Sequence, residues 1–264
     1  LGYITAMIPL RTSVMLGVAQ LEAELAARWP DLPQPVSTPA ATGQLSLSVG
    51  ESDVVIATMG APIPWPDLEP VCQASQLWPN AGADLRHHQD HLIVAVNAPG
   101  SPIDQAKFLT QVCAGVMAAC QQTLGVFWFS AGLLVPAPVF LEFATVVMPE
   151  TLPLHLWIDV QAGLDAGGKV CGFTRGLAAF GYREIEAVDA QEPWEKLRER
   201  LYDLAGYVLE NGPIIADGDT VGDHDSERIL VVYGTSQLGG PGEVMHLRYQ
   251  QPGKRKWKLW GKRR

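Results

Sequence analysis

Along this chain apolar positions alternate with polar ones, recur at helical spacing, or run together in blocks, and each mode marks a different element. Residues 3–9 are a short apolar run suited to a strand. Ser13, a capping residue type, precedes Leu16, Ala19, Leu21, Leu25 and Ala26 at helical spacing, which predicts a helix from Ser13 to about Trp29. A loop rich in proline (Pro30, Pro33, Pro35, Pro39) follows. Residues 44–49 alternate like a half-buried strand, Gly50-Glu51-Ser52 turns, and residues 53–59 are nearly all apolar, which together predict a hairpin. Pro64 can open a helix running through Leu68, Val71 and Cys72 to Leu77. Residues 91–96 read as a strand and 103–122 as a long helix.

The remainder reads as strand 126–129, helix 138–147, strands 154–160 and 169–174, helix 193–211 and strand 228–232. Strand, helix, strand, strand, helix, strand thus occurs twice, the order of a split βαβ unit, joined by the helix at 103–122. No residue-level repeat accompanies it. The expectation is an α+β fold: a single compact domain over residues 1–250, readable as two ferredoxin-like halves with mixed or antiparallel sheets, and a basic, tryptophan-containing tail at 251–264.

Composition supports a folded core. The chain has 264 residues, 47% hydrophobic and 18% charged. At that length about 70–75% of the unfolded surface is buried, so neither disulfide nor metal is needed for stability. The most apolar stretch, 126–148, is long enough to cross a bilayer. Pro136 and Pro138 divide it, however, and Glu142 would cost about 2.5–3.5 kcal/mol at mid-membrane. A strand, a loop and a core helix are expected there. Cys72, Cys113, Cys120 and Cys171 lie in apolar contexts without a CxxC pair, the pattern of buried thiols in a reducing compartment. The residues present contain no basic segment followed by a long apolar one, so a soluble, cytoplasmic protein is the expectation.

Charge changes the picture most. The net is -9, from 19 Lys plus Arg against 28 Asp plus Glu. Seven of the basic residues lie in 254–264, where there is no acid, so residues 1–253 carry 12 basic and 28 acidic groups, a net of -16. Such a body repels nucleic acid and anionic lipid and draws in basic proteins by long-range steering. A basic protein partner is expected and nucleic acid is not. In the tail, Trp257 and Trp260 among cations would suit a membrane surface or RNA phosphate. A solvated terminus, or one folded back on the acidic body, is the commoner state of such a segment.

Three constellations could carry chemistry. In His87-His88-Gln89-Asp90-His91, helical spacing would turn His87 and His91 toward one metal, with Asp84 a turn earlier. Yet His91 opens an apolar strand, and the Glu of an HExxH helix is missing. The acidic stretch Asp217, Asp219, Asp223 and Asp225 could hold a divalent cation, but its spacing misses the EF-hand loop and suits an ordinary turn. Ser130 follows a strand in Trp128-Phe129-Ser130-Ala131-Gly132, where a nucleophile elbow would need G-x-S-x-G, so core packing is expected. No phosphate or dinucleotide loop is present.

Several short motifs fall in a familiar order: Ala61-Pro62-Ile63-Pro64-Trp65, Leu77-Trp78-Pro79-Asn80, His88-Gln89-Asp90-His91-Leu92-Ile93-Val94, Gly125-Val126-Phe127-Trp128 with Ser130-Ala131-Gly132, then Glu210-Asn211-Gly212-Pro213 with Asp217-Gly218-Asp219-Thr220-Val221-Gly222. The sequence resembles the bacterial domain-of-unknown-function family numbered 4261 over about residues 3–232. The resemblance implies no established activity; it implies an association with gene neighbourhoods of secreted antibacterial toxins. The expected function is a non-enzymatic protein-binding protein without cofactor or catalytic residues. Its most concrete form is an immunity protein neutralising a toxin such as a type VI secretion effector. Trp65, Asp67, Glu69, Trp78 and Asp84 are the candidate partner contacts. The alternatives are a metal-dependent hydrolase using His87, His91, Asp217 and Asp219, and an effector adaptor tethered by the tail.

Overall fold

The computed structural model describes residues 2–222 and 228–249. The tail at 251–264, with Trp257 and Trp260, and Asp223, His224 and Asp225 of the acidic stretch lie outside the described residues.

The fold is α+β, with two sheets. The chain opens with β1 (Ile4–Leu10), α1 (Val18–Arg28), β2 (Pro35–Thr38), β3 (Gln44–Val49) and β4 (Ser52–Thr58). It continues with α2 (Trp65–Ala74), α3 (Ala81–Leu85), β5 (Asp90–Asn97), α4 (Pro102–Ala119), β6 (Gly125–Trp128) and β7 (Leu133–Pro136). These strands form a seven-stranded sheet in the order β2-β3-β4-β5-β1-β6-β7, every pair antiparallel. Alternation assigns its two faces. Ala6, Ile8, Leu47, Val54, Ile56, Leu92, Val94 and Val126 point into the main core beneath α1 and α4. Phe127 and Leu134 point the other way, into a smaller core with Leu68, Cys72, Trp78 and Leu85 from the α2–α3 region.

The second part runs α5 (Ala137–Glu142), prolonged by a π turn at Phe143–Val147, α6 (Leu154–Trp157), β8 (Asp159–Leu164), β9 (Val170–Arg175) and β10 (Ile185–Ala190). It ends with α7 (Trp194–Asn211), β11 (Thr220–Val221), β12 (Ile229–Thr235) and β13 (Glu243–Tyr249). Its six-stranded sheet has the order β11-β12-β13-β10-β9-β8, with β10 and β13 parallel and the other pairs antiparallel. Helix α7 presents Leu197, Leu201, Ala205, Val208 and Leu209 to this sheet, one apolar stripe at helical spacing.

Several expectations are corrected. The ferredoxin-like strand order fails in the first sheet: it would place β1 between β4 and β5, but β4 pairs directly with β5 and β1 lies beyond, between β5 and β6. Ser13 is not a cap: α1 starts at Val18 behind Gly17, with no side-chain cap. The proline-rich loop contains β2, an edge strand, where proline costs no ladder bond. Residues 154–157 are a helical turn rather than strand, and the expected loop before Pro136 is β7. The long helix, by contrast, carries a reciprocal cap: Ser101 Oγ accepts from the Asp104 N–H and the Asp104 carboxylate from the Ser101 N–H. Those bonds from Ser101 hold the Asp104 carboxyl below the usual carboxylate range.

Candidate functional site

The histidine cluster is a clamp on a loop. His88 is buried; its Nδ1–H donates to the Leu85 carbonyl at 2.7 Å and its Nε2 accepts from the Ile63 N–H at 2.7 Å. That pair of contacts requires the neutral ring. Asp90, 1% exposed, accepts from the Gly60 N–H at 2.8 Å and the His91 N–H at 2.7 Å. His91 in turn reaches the Ala61 carbonyl through Nδ1 at 2.7 Å. Residues 60–63, which lead into α2, are therefore tied down by side chains from the α3–β5 corner.

This overturns the helical pairing of His87 with His91. His91 lies in β5 with its ring spent on Ala61, while His87 is exposed and lines an open cavity of about 630 Å3 with Arg11 and Asp84. Asp217 accepts from the Tyr233 N–H and Asp219 from the Ala216 N–H, closing a turn at the second sheet. Among the described residues no three His, Cys, Asp or Glu side chains come together to hold a metal. His87, His91, Asp217 and Asp219 do not form the set that the hydrolase alternative requires.

The clamp has a pH signature. Burial lowers the pKa of His88, with the nearby His91 adding to the effect, and burial with Arg198 nearby lowers that of His155. The unfolded chain then takes up protons before the folded one. Stability from these groups is complete above the ordinary histidine value of about 6.5 and is lost as pH falls below it. The urea midpoint is expected to be lower at pH 5.5 than at 7.5, by a smaller margin in His88→Gln. Equal midpoints at the two pH values would refute the clamp.

The five candidate contact residues separate on the structure. Asp67, Glu69 and Asp84 are exposed and Trp65 is half-buried, its ring covered by the Arg86 guanidinium at 4.3 Å from the centroid. Trp78 is only 7% exposed. It fills the smaller core and donates from Nε1 to Asp84 at 2.7 Å, so it braces this face from beneath.

Sequence reasoning missed the polar face of the second sheet. Strand register puts Gln161, Phe173, Glu186, His246 and Val232 opposite one another across β8, β9, β10, β13 and β12, a single transverse row. The row beside it pairs Asp159 with Arg175. Glu186, 2% exposed, gathers Ser236 Oγ at 2.6 Å, the Gln237 N–H at 2.8 Å and the Leu238 N–H at 3.3 Å, with His246 Nδ1 at 3.6 Å. Glu184 gathers Thr174 Oγ1 and the N–H groups of Gly176 and Ala178. Gly176 can serve there because its φ is +123° and a Cβ would sit 2.5 Å from the Trp157 carbonyl.

Both glutamates thus hold loops, and between those loops lies a cavity of about 400 Å3 bordered by Ser130, Phe173, Arg175, Leu238 and Pro241. Arg175 stands exposed at its edge. Burial raises the pKa of Asp159, while hydrogen bonding by Gln161 and the charges of Arg175 and Arg198 oppose the rise. The signal that could have revealed β10 is the alternation of Ile185, Ala187 and Ala190 with acids, but Glu186 there is inward and Asp189 takes a positive φ of 61° at a bulge.

Residues 173–248 match the family described as Domain of unknown function (DUF4261). The match holds the polar row from Phe173 onward, its two glutamates and the cavity loop at 236–241, and the resemblance read from the sequence stands for that segment. The motifs at 210–213 and 217–222 lie inside it and the earlier ones outside. No curated protein and no solved structure matches the chain.

Proposed function

We propose that this is a non-enzymatic protein-binding protein with a basic partner, most concretely an immunity protein that covers a secreted antibacterial toxin. The observation that carries the reading is the charge of residues 1–253, 12 basic against 28 acidic. On α2 and α3 the acids Asp67, Glu69 and Asp84 are exposed beside Trp65, an aromatic at which apolar contact and steering would act together. The groups that acid–base chemistry would draw on, His88, Asp90, His91, Glu184 and Glu186, already hold loops in place.

The test is affinity capture of the protein from its own cells at moderate salt, followed by binding kinetics with the captured partner. A stoichiometric basic partner is expected. The double variant Asp67→Lys/Glu69→Lys is expected to slow association about tenfold or more at low ionic strength, with the deficit shrinking as salt rises. Association that is indifferent to the reversal removes this face from the interface. A toxin that stays active with equimolar protein removes the immunity role.

A further inference from the structure

We propose a small-molecule site at the junction of the two sheets, selective for a neutral aromatic carboxamide and recognised through Gln105. It is a cavity of about 380 Å3, within the range of ligand pockets. Its floor is α4 (Gln105, Ala106, Leu109), its walls are Trp128, Phe129 and Phe180, and among the described residues no charged side chain borders it.

Gln105 is the observation that points to a ligand. It sits in the first turns of α4, where the stripe of Ala106, Leu109 and Val112 is core, and it is itself only 2% exposed. Its side chain makes no hydrogen bond among the described residues, while its backbone N–H donates to the Ser101 carbonyl at 3.1 Å. Its two donors and its acceptor are unused by the protein but not sealed off, and a carboxamide so far inside is one that native interiors normally pair. The cavity that Gln105 lines is a space from which a partner can reach the amide.

The opposite side of the cavity also lacks a partner. Strand β1 pairs with β5 from Ile4 onward, but on its other side it meets β6 only where Met7 faces Phe127. The chain leaves the sheet after Trp128 and turns through Phe129–Ala131, so among the described residues no strand covers that side of β1 at residues 3–5. The opening left by this departure is the mouth, rimmed by Tyr3 and Phe129, which are 53% and 61% exposed.

The ligand class follows from these walls. Aromatic rings on several sides favour a flat apolar body. The absence of a bordering charge disfavours an ionised ligand, whose desolvation nothing would offset. A primary carboxamide is the group that pairs with another carboxamide through two antiparallel hydrogen bonds, donor to acceptor in both directions. The site is independent of the α2–α3 face, so the protein-binding reading and this one stand or fall separately.

Benzamide is the probe, with toluene as the control of similar shape that lacks the amide. Titration followed by NMR is expected to shift the Gln105 side-chain NH2 signals and those of Trp128 and Phe180, saturably, in the wild-type protein. Gln105→Leu is expected to weaken benzamide about tenfold and leave toluene unchanged. Shifts that are absent, unsaturable or centred elsewhere in the wild type overturn the site, whatever the variant does. Equal loss of benzamide and toluene in a folded Gln105→Leu overturns the role of the amide.

Discussion

Gly125→Ala is expected to destabilise the protein by about 3 kcal/mol, the cost of forcing a methyl group into an occupied space. A Cβ at Gly125 would stand 2.3 Å from the Val135 carbonyl oxygen, 2.5 Å from the Trp78 ring and 3.1 Å from the Pro136 Cα. Two of those three neighbours are backbone, and they belong to β7, which pairs with β6 at Gly125 opposite Pro136. Relief therefore requires parting the hairpin or unseating Trp78 from the smaller core. Gly163→Ala in β8 is the matched control, because nothing lies within 4 Å of its Cβ position. It is expected to be neutral or slightly stabilising, since alanine restricts the unfolded chain more than glycine does. Urea midpoints for the two variants measure the difference. Similar midpoints would mean that β6 and Trp78 are not packed as described.

That contact shows where sequence pattern stops informing. Residues 44–59, 91–96 and 193–211 were legible because each buries one face, so period-two or period-3.6 spacing survives in the composition. Within 126–148 the strand residues 126–128 and 133–135 are buried on both faces, which erases the period there, and the prolines hide β7 between a turn and a helix. Residues 154–157 form a single helical turn, too short for a helical period to show in the sequence. Strand β13 follows a glycine-rich turn and precedes a basic tail, and two polar side chains of the second sheet, Glu186 and His246, are buried because loop N–H groups and Ser236 satisfy the first and the Thr235 carbonyl meets Nε2 of the second. Candidate sites fared likewise. The histidine cluster was visible as residue types, but its roles depend on Gly60, Ala61 and Ile63, about 30 positions or fewer earlier, which spacing cannot connect. Gln105 looked like an ordinary helix residue until the fold closed around it.

Trp157→Ala is expected to cost about 4 kcal/mol, because it empties the centre of the molecule. The ring is fully buried at the end of α6, in tilted contact with Phe180 at 5.7 Å, where the first sheet's helix α4 meets the start of β8. Its Nε1–H donates to Thr110 Oγ1 at 2.9 Å, and that hydroxyl donates onward to the Ala106 carbonyl at 2.8 Å. Burial and the hydrogen bond can be separated. Thr110→Val keeps the shape but leaves the indole N–H buried with no acceptor, an expected loss of about 1–3 kcal/mol. Trp157→Phe removes the donor and part of the ring. In the double variant nothing is left unpaired at that point, so its cost should fall short of the summed single costs by about 1 kcal/mol. Strictly additive costs would mean that the Trp157 indole does not lean on Thr110. The link would then be packing alone.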